Sequence, residues 1–221
     1  MRQQLLEEIN GLRSKASGTV CMQVIAAIIK LRQAACNPRL INENLSIVSS
    51  KLQAFSDLLD ELIAGGHKVL VFSQFVKHLA LVRPVLEERG ITYQSLDGNT
   101  SVEERKEAVN AFQRGEGDVF LISLRAGGFG LNLTAADYVI HLDPWWNPAV
   151  EDQASDRAHR IGQSKSVTIY RLIAKNTIED KILQLHHDKR DLAESILNGT
   201  DSVNKLSQDE LLNLLAMAGL E

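Results

Sequence analysis

The chain is poor in the residues that staple or punctuate a fold: two cysteines, four prolines and two tryptophans among 221 residues, with aromatics at 5%. Cys21 and Cys36 give neither a disulfide framework nor zinc-ligand spacing, so a reducing, intracellular setting and no metal site are expected. The adjacent His186 and His187 do not share a helix face, which argues against a paired site. No apolar run reaches the roughly 20 residues that cross a membrane, and the acidic, amphipathic start Met1–Glu8 does not read as a signal peptide. A basic excess is also missing. Lys and Arg total 24 against 28 Asp and Glu, for a net charge of −4. That balance excludes wholesale coating of nucleic acid, but not a local basic groove. Two motifs are absent: a phosphate-cradling G-x-x-x-x-G-K-[ST] loop, and an apolar strand ending in an Asp-Glu pair for magnesium.

What is present is an ordinary globular composition, 44% hydrophobic and 24% charged, without repeats or low-complexity segments. Apolar spacing predicts helices over 19–36 and 51–64, the second stopped by Gly65-Gly66. From residue 68 short apolar runs alternate with helical patterns. Strands are expected at 68–73, 91–96, 119–122, 138–142 and 167–173. Helices are expected at 75–89, kinked or split by Pro84, and from the Ser101–Glu104 capping box to Arg114. Asn147-Pro148 should open a helix that carries Arg157 and Arg160, and Asn176–Glu179 a long helix to Leu197. A short helix near 207–218 ends the chain. This alternation predicts an α/β fold, a parallel sheet with helices on both faces plus helical additions at both ends. In such sheets ligands bind beyond the carboxyl ends of the strands.

Candidate site residues fall on those ends. Ser73-Gln74, Asn99-Thr100 and Ser123-Leu-Arg125 offer short polar or basic groups for phosphate contacts that position a backbone without reading bases, and Lys51 joins them. Ser123–Asn132 is glycine-rich, letting backbone amides approach a phosphate, though Leu133 breaks the G-x-G-x-x-G pattern. Asp143–Pro148 holds both tryptophans, read either as a hydrophobic plug over the sheet edge or as a stacking surface beside a nucleic-acid groove. Arg157 and Arg160, three apart, should share one helix face and converge on one anion, as an arginine finger does on a phosphoryl group. A finger without a phosphate-cradling loop reads as half of a composite nucleotide site.

These stretches occur in a telling order: Val69–Phe75, Leu96-Asp-Gly98, Ala126–Ala136, Asp143–Pro148, then Gln153, Arg157 and Arg160-Ile-Gly-Gln163. The order resembles the C-terminal RecA-like lobe of SWI/SNF-type DNA-dependent ATPases of helicase superfamily two, especially bacterial members, over about residues 20 to 200. The resemblance implies three parts: a helical protrusion and linker at 1–50, the lobe at 51–175, and a bracing helix and tail at 176–221. It implies ATP and magnesium, held mainly by an N-terminal ATPase lobe of the same protein, with double-stranded DNA and possible protein cargo on it as partners. The compartment would be cytoplasm or nucleoid in a bacterium and nucleus in a eukaryote. By matched position, Arg157 and Arg160 would touch the terminal phosphates of ATP. Gln153, Gly130 and Asn132 would lie near the nucleotide, although Asn132 stands where many relatives carry Asp. Lys51, Ser73, Gln74, Asn99, Thr100, Ser123, Arg125 and Trp146 would line the DNA. The implied function is the second motor lobe of a DNA translocase or remodeller, inactive by itself. The alternatives are an RNA-directed helicase lobe and a non-catalytic interaction lobe.

Overall fold

Residues 18–124, 126, 131–160, 162–163, 165–184 and 186 are described in the computed structural model. They fall into two units: residues 46–173, and a second built from the chain up to residue 45 and from residue 174 onward.

Residues 46–173 are organised by strands too apolar to face water. Val69–Ser73 (β1) and Val119–Ser123 (β3) are buried along their whole length. They sit inside a five-stranded sheet completed by Tyr93–Leu96 (β2), Tyr138–His141 (β4) and Thr168–Arg171 (β5). All pairings are parallel, in the order β2-β3-β1-β4-β5. The edge strand β5 is largely exposed.

Alternate side chains build two cores, as the period of a strand requires. Val69, Val71, Val119, Leu121 and Ile140 meet Phe55, Leu59 and Leu62 of α2 (Ser50–Ala64) and Leu79, Val82 and Leu86 of α3 (Val76–Glu88). Leu70, Phe72, Phe120, Ile122 and Val139 meet Phe112 of α4 (Val102–Gln113), Ala154 of α5 (Pro148–Ser155) and Leu131 and Leu133 of the β3–β4 crossing. Parallel crossovers are right-handed, so the crossing toward β2 lies opposite those that run toward β5. Each fully buried Phe or Leu contributes roughly 1.5–3 kcal/mol.

Local signals set the ends of these elements. Ser49 caps α2 by accepting the Leu52 N–H at 3.2 Å. After α2, Gly66 takes φ +74°, and the N–H groups of Gly66 and His67 bond to the carbonyls of Ile63 and Leu62. Gly90 ends the turn after α3 in the same way; only glycine enters that region without strain. Ser101 and Glu104 form the expected capping box on α4. Asn147 caps α5 with Pro148 in its first turn.

Pro84 does not split its helix: α3 runs as one from Val76 to Glu88. Pro84 and Ala80 are both exposed, so the carbonyl that loses its partner faces water. The helix opened at Asn147 also stops short of the arginines. It ends at Ser155, and Arg157 and Arg160 lie in the turns that follow.

The second unit contains α1 (Gly18–Cys36), a single 3-10 turn at Pro38–Leu40, and helical residues 178–184. The cap of the last helix is Thr177, whose hydroxyl accepts the Glu179 N–H at 3.1 Å, while Asn176 takes a positive φ of 57°. Glu179 is fully buried and receives the Cys36 thiol at 3.4 Å and the Ala174 N–H at 2.8 Å. The expected continuation to Leu197 and the helix near 207–218 lie outside the described residues. Among the described residues no helix is long and apolar enough to cross a membrane.

Candidate functional site

At the carboxyl end of the sheet, β1 and β3 pair through to Ser73 and Ser123, and Phe72 pairs with His141. Asp143, one residue beyond Leu142, reaches back across this edge. Its carboxylate accepts the Ser73 hydroxyl and, at 3.1 Å, the Gln74 N–H. Ser73 Oγ in turn accepts the Phe75 N–H at 3.1 Å. Asp143 is buried, so both of its oxygens work inside the fold. On the neighbouring loop Asp97 and Thr100 close a turn: Asn99 N–H donates to Asp97 Oδ1 at 2.8 Å and Asp97 N–H to Thr100 Oγ1 at 3.0 Å.

This geometry sorts the residues assigned to the DNA surface. Ser73, Ser123 and Lys51 are 0%, 2% and 5% exposed. All three side chains are buried rather than set on an open surface. Ser73 and Ser123 instead shape the loops that follow their strands; Ser123 Oγ accepts the Ala126 N–H at 3.4 Å. Lys51 starts α2, and its charge joins burial in lowering the pKa of His78. Asn99 is exposed, and Gln74, Thr100 and Trp146 are half-exposed. The Gln74 amide nitrogen finds no acceptor among the described residues. Of the two tryptophans, both half-buried, Trp145 packs against the core that Ala154 of α5 joins. Arg125 lies outside the described residues, as does Gly130.

The arginines form a second cluster beside the β3–β4 crossing. The Arg157 carbonyl accepts the Leu133 N–H at 3.0 Å. Gln163 donates to the carbonyls of Ala136 at 2.7 Å and of Thr134 and Ala158 at 3.2 Å, tying the arginine segment to that crossing. Gln113 of α4 holds the same crossing through the Asn132 carbonyl and the Ala135 N–H. Arg157 is only 3% exposed, and its Nε has no hydrogen-bond partner among the described residues. Burial and then the like charge of Arg160 lower its pKa. A buried guanidinium with an unmet donor beside a second cation has the chemistry to take an anion. Arg160, Asn132 and Gln153 are exposed.

Sequence reasoning missed Glu151, Gln113 and Gln163 as organisers of these loops. Glu151 is 1% exposed, yet in sequence it reads as one more acid in the first turn of a helix.

Comparison with known proteins shows the family. Residues 50–162 match the model of the helicase conserved C-terminal domain. The chain is 38% identical over 211 residues to an uncharacterized ATP-dependent helicase of Mycoplasma pneumoniae, covering 95% of this chain and 20% of that protein. It is 45% identical over 175 residues to the chromatin-remodeling ATPase INO80 of Homo sapiens, covering 78% of this chain and 11% of that protein. Among solved structures it is similar to the Sulfolobus solfataricus SWI2/SNF2 ATPase C-terminal domain, with a TM-score of 0.75 and 30% identity over 97% of this chain and 90% of that one. The core of that ATPase in complex with double-stranded DNA superposes with a TM-score of 0.77 and 32% identity, over 97% of this chain and 46% of that one. The chain therefore spans a fifth or less of the length of these curated relatives.

Proposed function

Since the chain belongs to the helicase conserved C-terminal domain family and is a lobe of the SWI/SNF type, we propose that it is the second motor lobe of an ATP-dependent double-stranded DNA translocase. The observation that carries this reading is Arg157, a buried guanidinium whose Nε lacks an acceptor, with Arg160 exposed three residues on. Such a pair suits an anion brought by another body. When bound, ATP with magnesium supplies the phosphoryl group and the free energy; a first lobe holds most of it. This chain closes Arg157 onto the terminal phosphates, where it orients them, and Arg160 meets the charge that develops in transfer. Asn132 and Gln153, both exposed, flank the nucleotide.

The opposite partner is the DNA backbone. Gln74, Asn99 and Thr100 reach phosphates from the carboxyl ends of β1 and β2, and Trp146 faces the duplex. Ser73 and Ser123 act from inside, by holding the loops that follow their strands, and Lys51 adds its charge from the start of α2. The protrusion and bracing roles of residues 1–50 and 176–221 belong to the same proposal. The likeness to a structure solved with double-stranded DNA supports this partner.

The reading is tested by salt. Phosphate contacts release counterions, so affinity for duplex DNA should fall steeply with salt and depend little on sequence. In the full-length protein, Arg125→Ala should flatten the log–log salt slope by about one unit. An unchanged slope, or strong preference for one base sequence, would remove Arg125 from the interface.

The tryptophans give a second prediction with opposite outcomes for neighbours. Trp145→Ala should destabilise the fold by about 3 kcal/mol, the low end for deleting a large aromatic from a core, because Trp145 is only partly buried. Trp146→Ala should keep the wild-type melting temperature while movement along DNA uncouples from ATP hydrolysis. A large drop in melting temperature with normal coupling in Trp146→Ala would make it a second plug.

A further inference from the structure

Glu151 makes contacts that the proposed machinery does not use. It is 1% exposed in the first turn of α5. Oε1 accepts the Trp145 N–H at 2.6 Å, and Oε2 accepts Arg171 Nε of β5 at 2.7 Å. Arg171 adds a longer bond of 3.4 Å to Asp152. One buried carboxylate therefore joins the Asp143–Asn147 loop, α5 and the edge strand. Charge-assisted bonds of this kind are short and directional. Losing Arg171 would leave Oε2 of the buried Glu151 unsatisfied, so the arrangement resists partial opening.

The far end of α5 is pinned as well. Ser155 bonds the ring of His141, the last residue of β4, through Oγ···Nε2 at 2.9 Å. Arg157 follows two residues later, its carbonyl held by the Leu133 N–H. Trp146 precedes α5 and the arginine pair follows it. One short helix therefore holds the tryptophan loop at its start and leads into the arginine turn at its end, and both ends are set against the sheet through Arg171 and His141. A displacement of the loop that strains the Glu151 bonds loads this helix and the turn beyond it.

We infer that Glu151 is a positioning residue that couples the tryptophan loop to the arginine pair, so that DNA engagement at Trp146 sets the arginines for phosphoryl transfer. This rests on the proposed translocase function. Glu151 touches neither DNA nor nucleotide in this scheme; it acts through Trp145 and Arg171.

The test uses Glu151→Ala, Glu151→Gln and Arg171→Gln. Trp145 and Trp146 are the only tryptophans in the sequence, so acrylamide quenching of intrinsic fluorescence in the full chain reports this loop directly. Quenching should rise in Glu151→Ala. It should rise less in Glu151→Gln, whose amide oxygen still accepts the Trp145 N–H while its nitrogen no longer accepts from Arg171 Nε. Melting curves identify any variant that fails to fold, and Arg171→Gln cuts the tie from β5 should Glu151→Ala do so. In the full-length protein, DNA-stimulated kcat should fall about 10–100-fold in Glu151→Ala, the scale of a remote misplacement of about an ångström. KM for ATP should hold, and Glu151→Gln should recover part of the rate. Arg171→Gln should move both readouts in the same direction by less. Raised quenching with full DNA stimulation overturns the coupling. Unchanged quenching in Glu151→Ala overturns the tie itself. Absence of DNA-stimulated hydrolysis in the wild-type protein instead overturns the reading on which the coupling rests.

Discussion

Replacing Arg160 with alanine in the full-length protein is expected to lower DNA-stimulated ATP hydrolysis by about 10³–10⁵-fold, with a much smaller loss in ATP affinity. That is the range an arginine finger supplies in other nucleotide hydrolases, because it meets charge that exists mainly in the transition state. Arg157→Ala should also be severe, but for a different physical reason. Its guanidinium is 3% exposed and already desolvated, so little further desolvation opposes its pairing with a phosphate, and more of its effect should appear in nucleotide binding. The check is steady-state hydrolysis with saturating duplex DNA, beside direct measurement of nucleotide affinity. Near-normal turnover in Arg160→Ala would remove it from the reaction centre. Equal loss of binding and turnover in Arg157→Ala would fit, whereas an effect confined to turnover would reverse the two roles.

Acid should unfold this protein earlier than its carboxylates alone would require. His78 is buried, and burial together with Lys51 lowers its pKa from 6.5 to about 3. Burial lowers that of His141 to about 4, with Glu151 and Asp152 opposing and Arg171 adding to the fall. Both rings are therefore neutral in the native state at a pH where the unfolded chain would protonate them. Their contribution is full above pH 6.5 and is lost as pH falls toward 4 and then 3. Each ring costs about 1.4 kcal/mol per pH unit inside that window. Two together remove several kcal/mol by about pH 4.5, a large share of a typical stability of about 5–15 kcal/mol. Asp137 titrates in a separate range. Burial opposes its ionisation, yet hydrogen bonds from His67, the Lys68 N–H and Lys165 hold its pKa below 3.8, so its stabilisation is lost only at lower pH. Urea midpoints from pH 7.5 down to 4.5 should fall steeply below pH 6. His141→Gln, which can keep the bond to Ser155, should flatten the curve by one proton. A level curve from pH 6.5 to 5 in the wild-type protein would contradict the assignment.

The sequence by itself determined everything whose cause lies within a few residues. Continuous apolar runs at 68–73 and 119–122 could only be strands covered on both faces, and both are central in the sheet. The capping box at Ser101 and the Asn147-Pro148 start are bonds between residues two or three apart, so they are legible in the letters. The ordered motifs identified the family. Only the tertiary structure decided what depends on distant partners. The order β2-β3-β1-β4-β5 came from packing two cores at once. Ser73 proved buried because Asp143, seventy positions away, folds over it. Lys51 and Glu151 are charged residues whose letters promise solvent, yet both are buried, Glu151 against Arg171 of the edge strand. The helix expected to carry both arginines stops at Ser155, before its pattern of apolar residues ends: Ala158 is fully buried among side chains of the sheet, and the Arg157 carbonyl is taken by Leu133. Hydrophobic period and capping are short-range and survive in one dimension. Burial of charge and the meeting of two loops are settled by contacts that no window along the sequence contains.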